Sequence, residues 1–346
     1  MRKILFLILI VAMTGVGSAA QTTPKESLLV LSKHDHTLAI VDPATLKSVA
    51  RIPVGADPHE VIATADGKTA YVSNYGGGGA GALHTLAVID LVNQKPLAPV
   101  DLGVLRGPHG LDVAGGKVWF TAEAAKAFGS YDPASGKVDL IMGTGQNRTH
   151  MILVTQDLSR IFTTNMQSGT VSIWEKARPN LPSGPPGTAG NQGLFLPEWN
   201  QTLVEVGPGS EGFDVTPDGK ELWSADAQDG TISVINVAEK KVAQKINANV
   251  RGANRLKFTP DGKMAFVSSL SGTDVAVFDV AARKEIKRIP VGHGAAGIQM
   301  QPDGARAFVA CTPDNYVAVI DLKSLQVTGH IDAGGNPDGM AWAIQK

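Results

Sequence analysis

Two recurring segments decide the fold of this chain: Ala65-Asp-Gly-Lys-Thr-Ala-Tyr-Val-Ser-Asn74 and Thr85-Leu-Ala-Val-Ile-Asp90. Segments like the second occur seven times, and successive copies end 48, 42, 43, 61, 43 and 42 positions apart. Each copy is short, rich in β-branched residues and bounded by turn residues, which is typical of a β-strand. The copies begin at Thr37, Thr85, Ala127, Thr170, Thr231, Asp274 and Tyr316.

The first segment joins two further strands through a tight turn, because Asp bonds nearby backbone groups and Gly accepts a positive φ. Related turns stand at Pro217-Asp-Gly-Lys220 and Pro260-Asp-Gly-Lys263, and a fourth strand ends each unit, as in Ile52-Pro-Val-Gly55. Four strands, named A to D here, in about 42 residues are the spacing of a propeller blade. The sequence therefore predicts an all-β protein, a seven-bladed β-propeller with four strands in each blade.

One blade is divided between the two ends of the repeat region. Leu28–Val54 supplies its strands B, C and D, and Met340–Ile344 supplies a lone strand A. Pairing these segments would close the ring and remove its free edges, so we expect a single domain over residues 21–346. A Pro- and Gly-rich insertion at residues 178–201, between strands C and D of one blade, accounts for the interval of 61 positions.

The first 20 residues differ from the rest of the chain. Arg2 and Lys3 precede an apolar run from Ile4 to Met13, and small residues follow, ending in Ser18-Ala19-Ala20. This order is typical of a secretory signal peptide. We expect cleavage there, a mature chain that starts near Gln21, and a periplasmic or secreted protein.

Composition excludes several classes of function. Hydrophobic residues make up 43% and charged residues 18%, which fits a folded protein. A net charge of -1 gives no strong nucleic-acid signal, and the single Cys311 excludes an intrachain disulfide and a CxxC motif. No later apolar run reaches the length of a membrane span. We therefore expect a monomer that does not span a membrane and whose partner is a small molecule or a protein.

Several of these patterns carry a family resemblance. Tyr71-Val-Ser-Asn74, the Pro-Asp-Gly-Lys turns and the Ile-Pro-Val-Gly strand ends resemble the YVTN-repeat β-propellers, which include YncE-like exported proteins, over about residues 27–346. The resemblance implies the propeller fold and export. It leaves the activity open, because the family is related in pattern to lactonase-like and cytochrome d1-like propellers and a fold does not fix a function.

The starts of the seven A strands contain a column of mostly polar residues. The position two residues further on is apolar in every copy, so it should pack between blades and leave the polar column beside the central channel. Seven of the eight histidines fall on this face of the predicted ring, and Arg148, Arg251 and Arg255 lie near its rim, where they could bind an anion. The column reads His59, His109, His150, Glu211, Asn254, Ala296 and Asp338.

Three functions remain open at this point. The first is a ligand- or partner-binding protein that uses this column as its binding site, without a required cofactor. The second is a metal-dependent enzyme, either a lactonase-like hydrolase or lyase, or a copper oxidoreductase. In that case His59, His109 and His150 would bind zinc or copper and leave one coordination position open. The third is a structural or cell-envelope interaction protein that works through the Pro-rich insertion at residues 178–201. No catalytic residue is assigned, because the sequence contains no complete catalytic motif.

Overall fold

The structure is a computed structural model that describes residues 22–176 and 199–346. These residues form seven antiparallel sheets of four strands each, as the repeats predict. Neighbouring A strands contact one another all the way round, from the first blade to the last and back, so the sheets form a ring. The only helical element in the described residues is one short 3-10 turn at Thr312–Asp314.

The first blade in chain order is the divided one. Its strands B, C and D are β1 (Glu26–Ser32), β2 (Thr37–Asp42) and β3 (Lys47–Pro53), and its strand A is β28 (Pro337–Ile344). The other blades follow in the order A to D. They are β4 (Pro58–Ala63), β5 (Thr69–Asn74), β6 (Thr85–Asp90), β7 (Lys95–Asp101); β8 (Pro108–Ala114), β9 (Lys117–Ala122), β10 (Ala127–Asp132), β11 (Lys137–Gly143); β12 (Thr149–Val154), β13 (Arg160–Asn165), β14 (Thr170–Lys176), β15 (Trp199–Glu205); β16 (Ser210–Val215), β17 (Glu221–Asp226), β18 (Thr231–Asn236), β19 (Lys241–Asn247); β20 (Ala253–Phe258), β21 (Met264–Ser269), β22 (Asp274–Asp279), β23 (Lys284–Pro290); β24 (Ala295–Met300), β25 (Arg306–Cys311), β26 (Tyr316–Asp321) and β27 (Gln326–Ile331).

Ring closure occurs as expected, through β28 and β1. The two strands pair antiparallel over nearly their whole length, with Leu28 opposite Trp342 and Glu26 opposite Ile344. Strand β28 begins at Pro337, three residues before the start expected at Met340, because its pairing with β1 resumes beyond an irregularity and places Pro337 opposite Ser32.

The insertion ends earlier in the chain than the sequence predicts. Trp199 already pairs with Lys176, so residues 199–201 belong to β15 and not to the insertion. The Lys176 ammonium lies 5.4 Å from the centre of the Trp199 ring, a cation–π contact that supports this first pair of the ladder. The rest of the predicted insertion and the predicted signal peptide lie outside the described residues.

The Asp-Gly-Lys turns join strands A and B by the chemistry that the repeats suggest. In β16–β17, Thr216 Oγ1 donates to Asp218 Oδ1 at 2.7 Å, and the same oxygen accepts the Lys220 N–H at 3.1 Å. Gly219 has a φ of +71°, a conformation in which other residues are strained. The turn therefore depends on the aspartate and the glycine together.

Strand A is interrupted in the same place in the seven blades. In β8, pairing with β9 skips from Pro108 to Leu111, and the N–H of Gly110 instead donates to Thr121 Oγ1 at 2.9 Å. The Thr121 hydroxyl then donates to the carbonyl of His150 in the next blade at 2.7 Å. Such irregularities redirect side chains away from the ladder. A single hydroxyl thus satisfies the bulge and joins two blades.

The same hydroxyl bridge recurs around the ring. Ser268 accepts from the Arg255 N–H at 3.0 Å and donates to the Ala296 carbonyl at 2.6 Å. In the segment that resembles the YVTN repeat, Ser73 accepts from the Glu60 N–H at 3.0 Å. Asn74 Nδ2 donates to the Val54 carbonyl at 2.9 Å. The polar end of this repeat therefore has a structural role in positioning the start of strand A.

Close packing of the A strands also needs small residues beside the interruption. A Cβ at Gly339 would lie 2.2 Å from the His59 carbonyl oxygen, and one at Gly110 would lie 2.7 Å from the His150 carbonyl oxygen. Side chains one position further along are buried between blades, as predicted. This apolar column consists of Val61, Leu111, Ile152, Phe213, Leu256, Ile298 and Met340.

Replacing Thr121 by Val keeps the side-chain shape and removes the hydroxyl that bridges the Gly110 N–H and the His150 carbonyl. We expect Thr121→Val to lower the free energy of unfolding by about 1–3 kcal/mol, because a buried N–H loses its acceptor. Thr121→Ser retains the hydroxyl and should lose less than the valine variant. Urea denaturation of the three proteins measures the difference, and a valine variant as stable as the wild type would contradict the bridge.

Candidate functional site

The polar column lies at one face of the ring, named the top face here, where the A strands begin and the B–C connections turn. Each column residue is the second residue of its A strand and falls inside the interruption described above. The structure brings most of these side chains into a continuous cluster. The cluster lies beneath the surface, since His109 is 3% and His150 is 1% exposed.

Three imidazoles lie side by side at the centre of this cluster. The ring centres of His59 and His109 are 5.0 Å apart, and those of His109 and His150 are 3.8 Å apart. Tyr75 covers them, with its ring 4.7 Å from that of His59 and 5.0 Å from that of His109. The predicted proximity of the three rings is therefore present, but His109 and His150 are buried and only His59 is partly exposed.

His150 lies between two carboxylates. Its Nδ1 bonds to Glu123 Oε1, and its Nε2 bonds to Glu211 Oε1 at 2.8 Å. Burial by itself would lower the pKa of His150. The charge of Glu211, together with the hydrogen bonds to both carboxylates, raises that pKa to about 9. His150 is therefore a buried cation at neutral pH that donates from both nitrogens.

The other two imidazoles remain neutral. Burial, followed by the charge of neighbouring His150, holds the pKa of His109 well below its usual value, and its buried Nδ1 has no hydrogen-bond partner in the described residues. Burial and the nearby Lys33 charge also lower the pKa of His59. Lys33 Nζ donates to His59 Nε2 at 2.6 Å, and His59 Nδ1 faces Asp57 Oδ1 at 3.3 Å.

Glu123 connects this interior to the surface. Its Oε2 accepts a hydrogen bond from the Tyr75 hydroxyl and lies 3.5 Å from Arg148 Nε. Burial would raise the pKa of Glu123, but the hydrogen bond and charge of His150 outweigh it and lower the pKa. Glu123 is thus ionised, and the half-buried Arg148 belongs to the cluster as the sequence suggests.

The remaining predicted residues differ in their positions. Asn254 Nδ2 donates to Glu211 Oε1 at 3.1 Å, so both residues extend the cluster. Asp338 forms an ion pair with Lys33 at 3.3 Å. Arg251 is exposed, and in the described part of the chain its guanidinium has no contact with the cluster. Ala296 supplies only its carbonyl, as an acceptor for Ser268.

Arg255, which the sequence places near the rim as an anion-binding group, is instead buried in an ion pair with Glu60 that the sequence analysis missed. Arg255 bonds to Glu60 from a different blade and lies 3.8 Å from Glu211. Glu60 and Arg255 each occupy the third position of their A strand, where most other blades have glycine. A glutamate and an arginine in an otherwise small or apolar column were the signal that could have revealed this pair. Beyond it, a cavity of about 270 Å³ opens to the opposite face.

The donor atoms test the predicted metal site. The described residues contain no group of three or more His, Cys, Asp or Glu side chains placed to hold a metal. Of the three histidines, His150 uses both nitrogens on carboxylates, and His59 uses its nitrogens on Lys33 and Asp57. His109 Nδ1 is buried without a hydrogen-bond partner in the described residues. The arrangement does not fit a three-histidine metal site, and the metal assignment stays a prediction.

A cavity of about 520 Å³ adjoins the cluster at the top face. Tyr75, Glu123 and Arg148 form the side nearest the histidines, and Lys126 supplies a second cation. Gly77 and Gly78, from the glycine-rich connection between β5 and β6, form another wall. A Cβ at Gly78 would lie 3.0 Å from Glu123 Oε2, so glycine there keeps the wall close to the carboxylate without a clash.

No protein-family model and no curated protein matches the chain. Solved structures do match. One is a functionally unknown protein from Desulfotomaculum acetoxidans, with a TM-score of 0.72, 15% identity, and coverage of 92% of this chain and 99% of that one. Another is a putative 6-phosphogluconolactonase from Bacteroides fragilis, with a TM-score of 0.70, 17% identity, and coverage of 93% and 99%.

A third similar structure is the dihydro-heme d1 dehydrogenase NirN in complex with DHE, with a TM-score of 0.59 and 16% identity, covering 88% of this chain and 63% of that one. At these identities the similarity shows the propeller fold alone. The narrower YVTN-repeat assignment remains a resemblance. None of the helices in residues 22–176 and 199–346 is long and apolar enough to cross a membrane.

The charge state of His150 predicts a pH dependence of stability. The pKa of His150 in the folded protein is about 9, above the ordinary value of 6.5. The stabilisation that the protonated ring gives to the folded state is therefore complete below pH 6.5 and is lost as the pH rises through 9. We expect the free energy of unfolding to fall by up to about 3 kcal/mol over this interval. Urea denaturation of wild type and His150→Gln measures it. A decline of equal size in both proteins would contradict the assignment.

Proposed function

We propose that this protein is an exported YVTN-type propeller that binds a small anionic molecule in the top-face cavity beside Tyr75, Glu123 and Arg148. The protein acts as a binding protein, and its buried histidine cluster holds the floor of the cavity in one charge state. The observation that carries the proposal is the excess of cationic groups over unpaired anionic groups at the cavity.

The cluster neutralises the one carboxylate that lines the cavity. The Glu123 carboxylate accepts hydrogen bonds from the Tyr75 hydroxyl and from the protonated His150, so its oxygens are already engaged within the protein. Arg148 Nε lies 3.5 Å from Glu123, beyond hydrogen-bond distance, and its half-buried guanidinium lines the cavity, where it also contacts the Tyr75 hydroxyl. A guanidinium of this kind binds carboxylate or phosphate well, because its donors match two acceptor oxygens.

Lys126 adds a second positive charge. In the described residues its ammonium forms no ion pair, and the residue lines the cavity from the β9–β10 connection, directly before β10. Asn147 and Gln167 add amide groups around the same cavity. Two cations, amides and no unpaired carboxylate favour a polar anion over a neutral or cationic ligand.

Citrate and inorganic phosphate serve as test anions. We expect citrate to raise the melting temperature of the wild type in a concentration-dependent manner, because a ligand that binds only the folded state stabilises it. Lys126→Gln leaves the buried cluster intact and should weaken citrate binding about fivefold, and Arg148→Gln about tenfold or more.

Lys137→Gln, on the exposed start of β11, is the matched control and should bind as the wild type does. Isothermal titration calorimetry gives the dissociation constants directly. Equal affinity in all four proteins, or no binding of either anion to the wild type, would contradict the proposed function.

A metal-dependent enzyme is the second candidate, and the unpartnered Nδ1 of His109 is the observation that favours it. Binding would require Lys33 to leave His59, since that nitrogen is engaged. This proposal expects about one zinc or copper ion per purified chain and its loss in His109→Ala. Elemental analysis measures both, and negligible metal in both proteins after growth with added zinc and copper would exclude this candidate.

A further inference from the structure

A second cavity extends the candidate site across the top face. It has a volume of about 370 Å³ and shares Gln167 with the first cavity. The second cavity lies over the next blades, between the β13–β14 connection at Ser168 and the β17–β18 connection at Gln228. The two cavities adjoin at Gln167, and we call them together the groove; their combined volume is larger than a compact anion such as citrate requires.

The two ends of this groove differ in charge. Lys126 and Arg148 stand at one end, and Glu205 stands at the other. Glu205 is exposed at the end of β15, and its carboxylate forms no ion pair with any described residue. A ligand complementary to both ends carries a negative group at one terminus and a positive group at the other.

Apart from these charged groups and the engaged Glu123, the lining of the groove is uncharged. Its polar part includes the amides of Asn147, Gln167 and Gln228 with the hydroxyls of Ser168 and Thr170, and its apolar part includes Met166, Val206 and Pro208. Amide side chains carry both donors and acceptors, so they can pair with the N–H and C=O groups of an extended backbone. An acidic sugar chain could use the hydroxyl and amide groups, but it has no cationic end for Glu205.

We propose that the groove binds a short zwitterionic peptide, with its terminal carboxylate at Lys126 and Arg148 and its terminal ammonium at Glu205. This inference rests on the proposed function, because it takes the same cationic cavity as the carboxylate end of a longer site. It assigns Glu205 as a specificity-determining residue that a compact anion would not contact.

Tetra-alanine in four forms tests the proposal: free, amidated at the carboxyl end, acetylated at the amino end, and capped at both ends. In calorimetry or NMR titration, the wild type should bind the amidated peptide about tenfold more weakly than the free one, and the acetylated peptide at least about threefold more weakly. These losses of affinity are called the amidation penalty and the acetylation penalty. In Glu205→Gln the acetylation penalty should disappear and the amidation penalty should remain. In Lys126→Gln the amidation penalty should shrink and the acetylation penalty should remain.

Glu239→Gln, in an exposed turn after β18, is the matched control for charge and should reproduce the wild-type pattern. Equal affinity for the four peptides, penalties that do not follow the variants, no binding at about 10 mM peptide, or tighter binding of tetragalacturonate than of tetra-alanine would each overturn the inference. Citrate separates the two proposals. If citrate still binds in a Lys126-dependent manner, only the peptide inference fails, whereas loss of citrate binding removes the proposed function as well.

Discussion

The antiparallel pairing of β28 with β1 is the constraint on which the rest of the molecule depends. The two strands come from opposite ends of the described chain, and their ladder turns a row of seven sheets into a ring. Without closure, β28 and β1 would each expose an unpaired edge, and the seven A strands would not share an axis. Gly339 lies in this closing strand, where a larger side chain would meet the His59 backbone, so closure also brings the histidine-bearing strand β4 into place.

Closure in turn concentrates charge in a small buried volume. His150, Glu123 and Glu211 form one part of a connected chain, and Arg255 with Glu60 forms the other. Removing ions from water costs several kcal/mol each, so such groups persist only where each one has partners. Here each of these five side chains contacts a group of opposite charge. The cluster therefore behaves as a unit, and its charge state sets the electrostatics of the cavity above it.

The repeats predict the fold almost completely because they encode it locally. Alternating apolar strands, Asp-Gly turns and a fixed period specify one blade, and seven blades with a divided copy specify a ring. The sequence also predicts the column that holds His59, His109 and His150. It does not predict that the strands are interrupted there, because a β-bulge depends on pairing with the neighbouring strand and on the hydroxyl of residues such as Thr121.

Side-chain contacts across the ring are the other part that sequence reasoning missed. Lys33, Tyr75 and the Glu60–Arg255 pair are far apart in the chain and meet only because the ring is closed. Lys33 engages His59 Nε2, and Tyr75 packs against the His59 and His109 rings. Such contacts leave the three neighbouring imidazoles without a shared set of free nitrogens. The insertion boundary was placed too late for a similar reason, since the start of β15 is fixed by its partner β14.

The central claim is that closure holds His150 as a cation between two carboxylates. Nitrogen-15 NMR of histidine-labelled protein, with His150→Gln used to assign its signals, tests this most directly. The predicted result at pH 7 is an imidazolium whose two ring nitrogens both carry protons and which loses one only near pH 9. A neutral His150 ring at pH 7, with one unprotonated nitrogen, would contradict the account of the site.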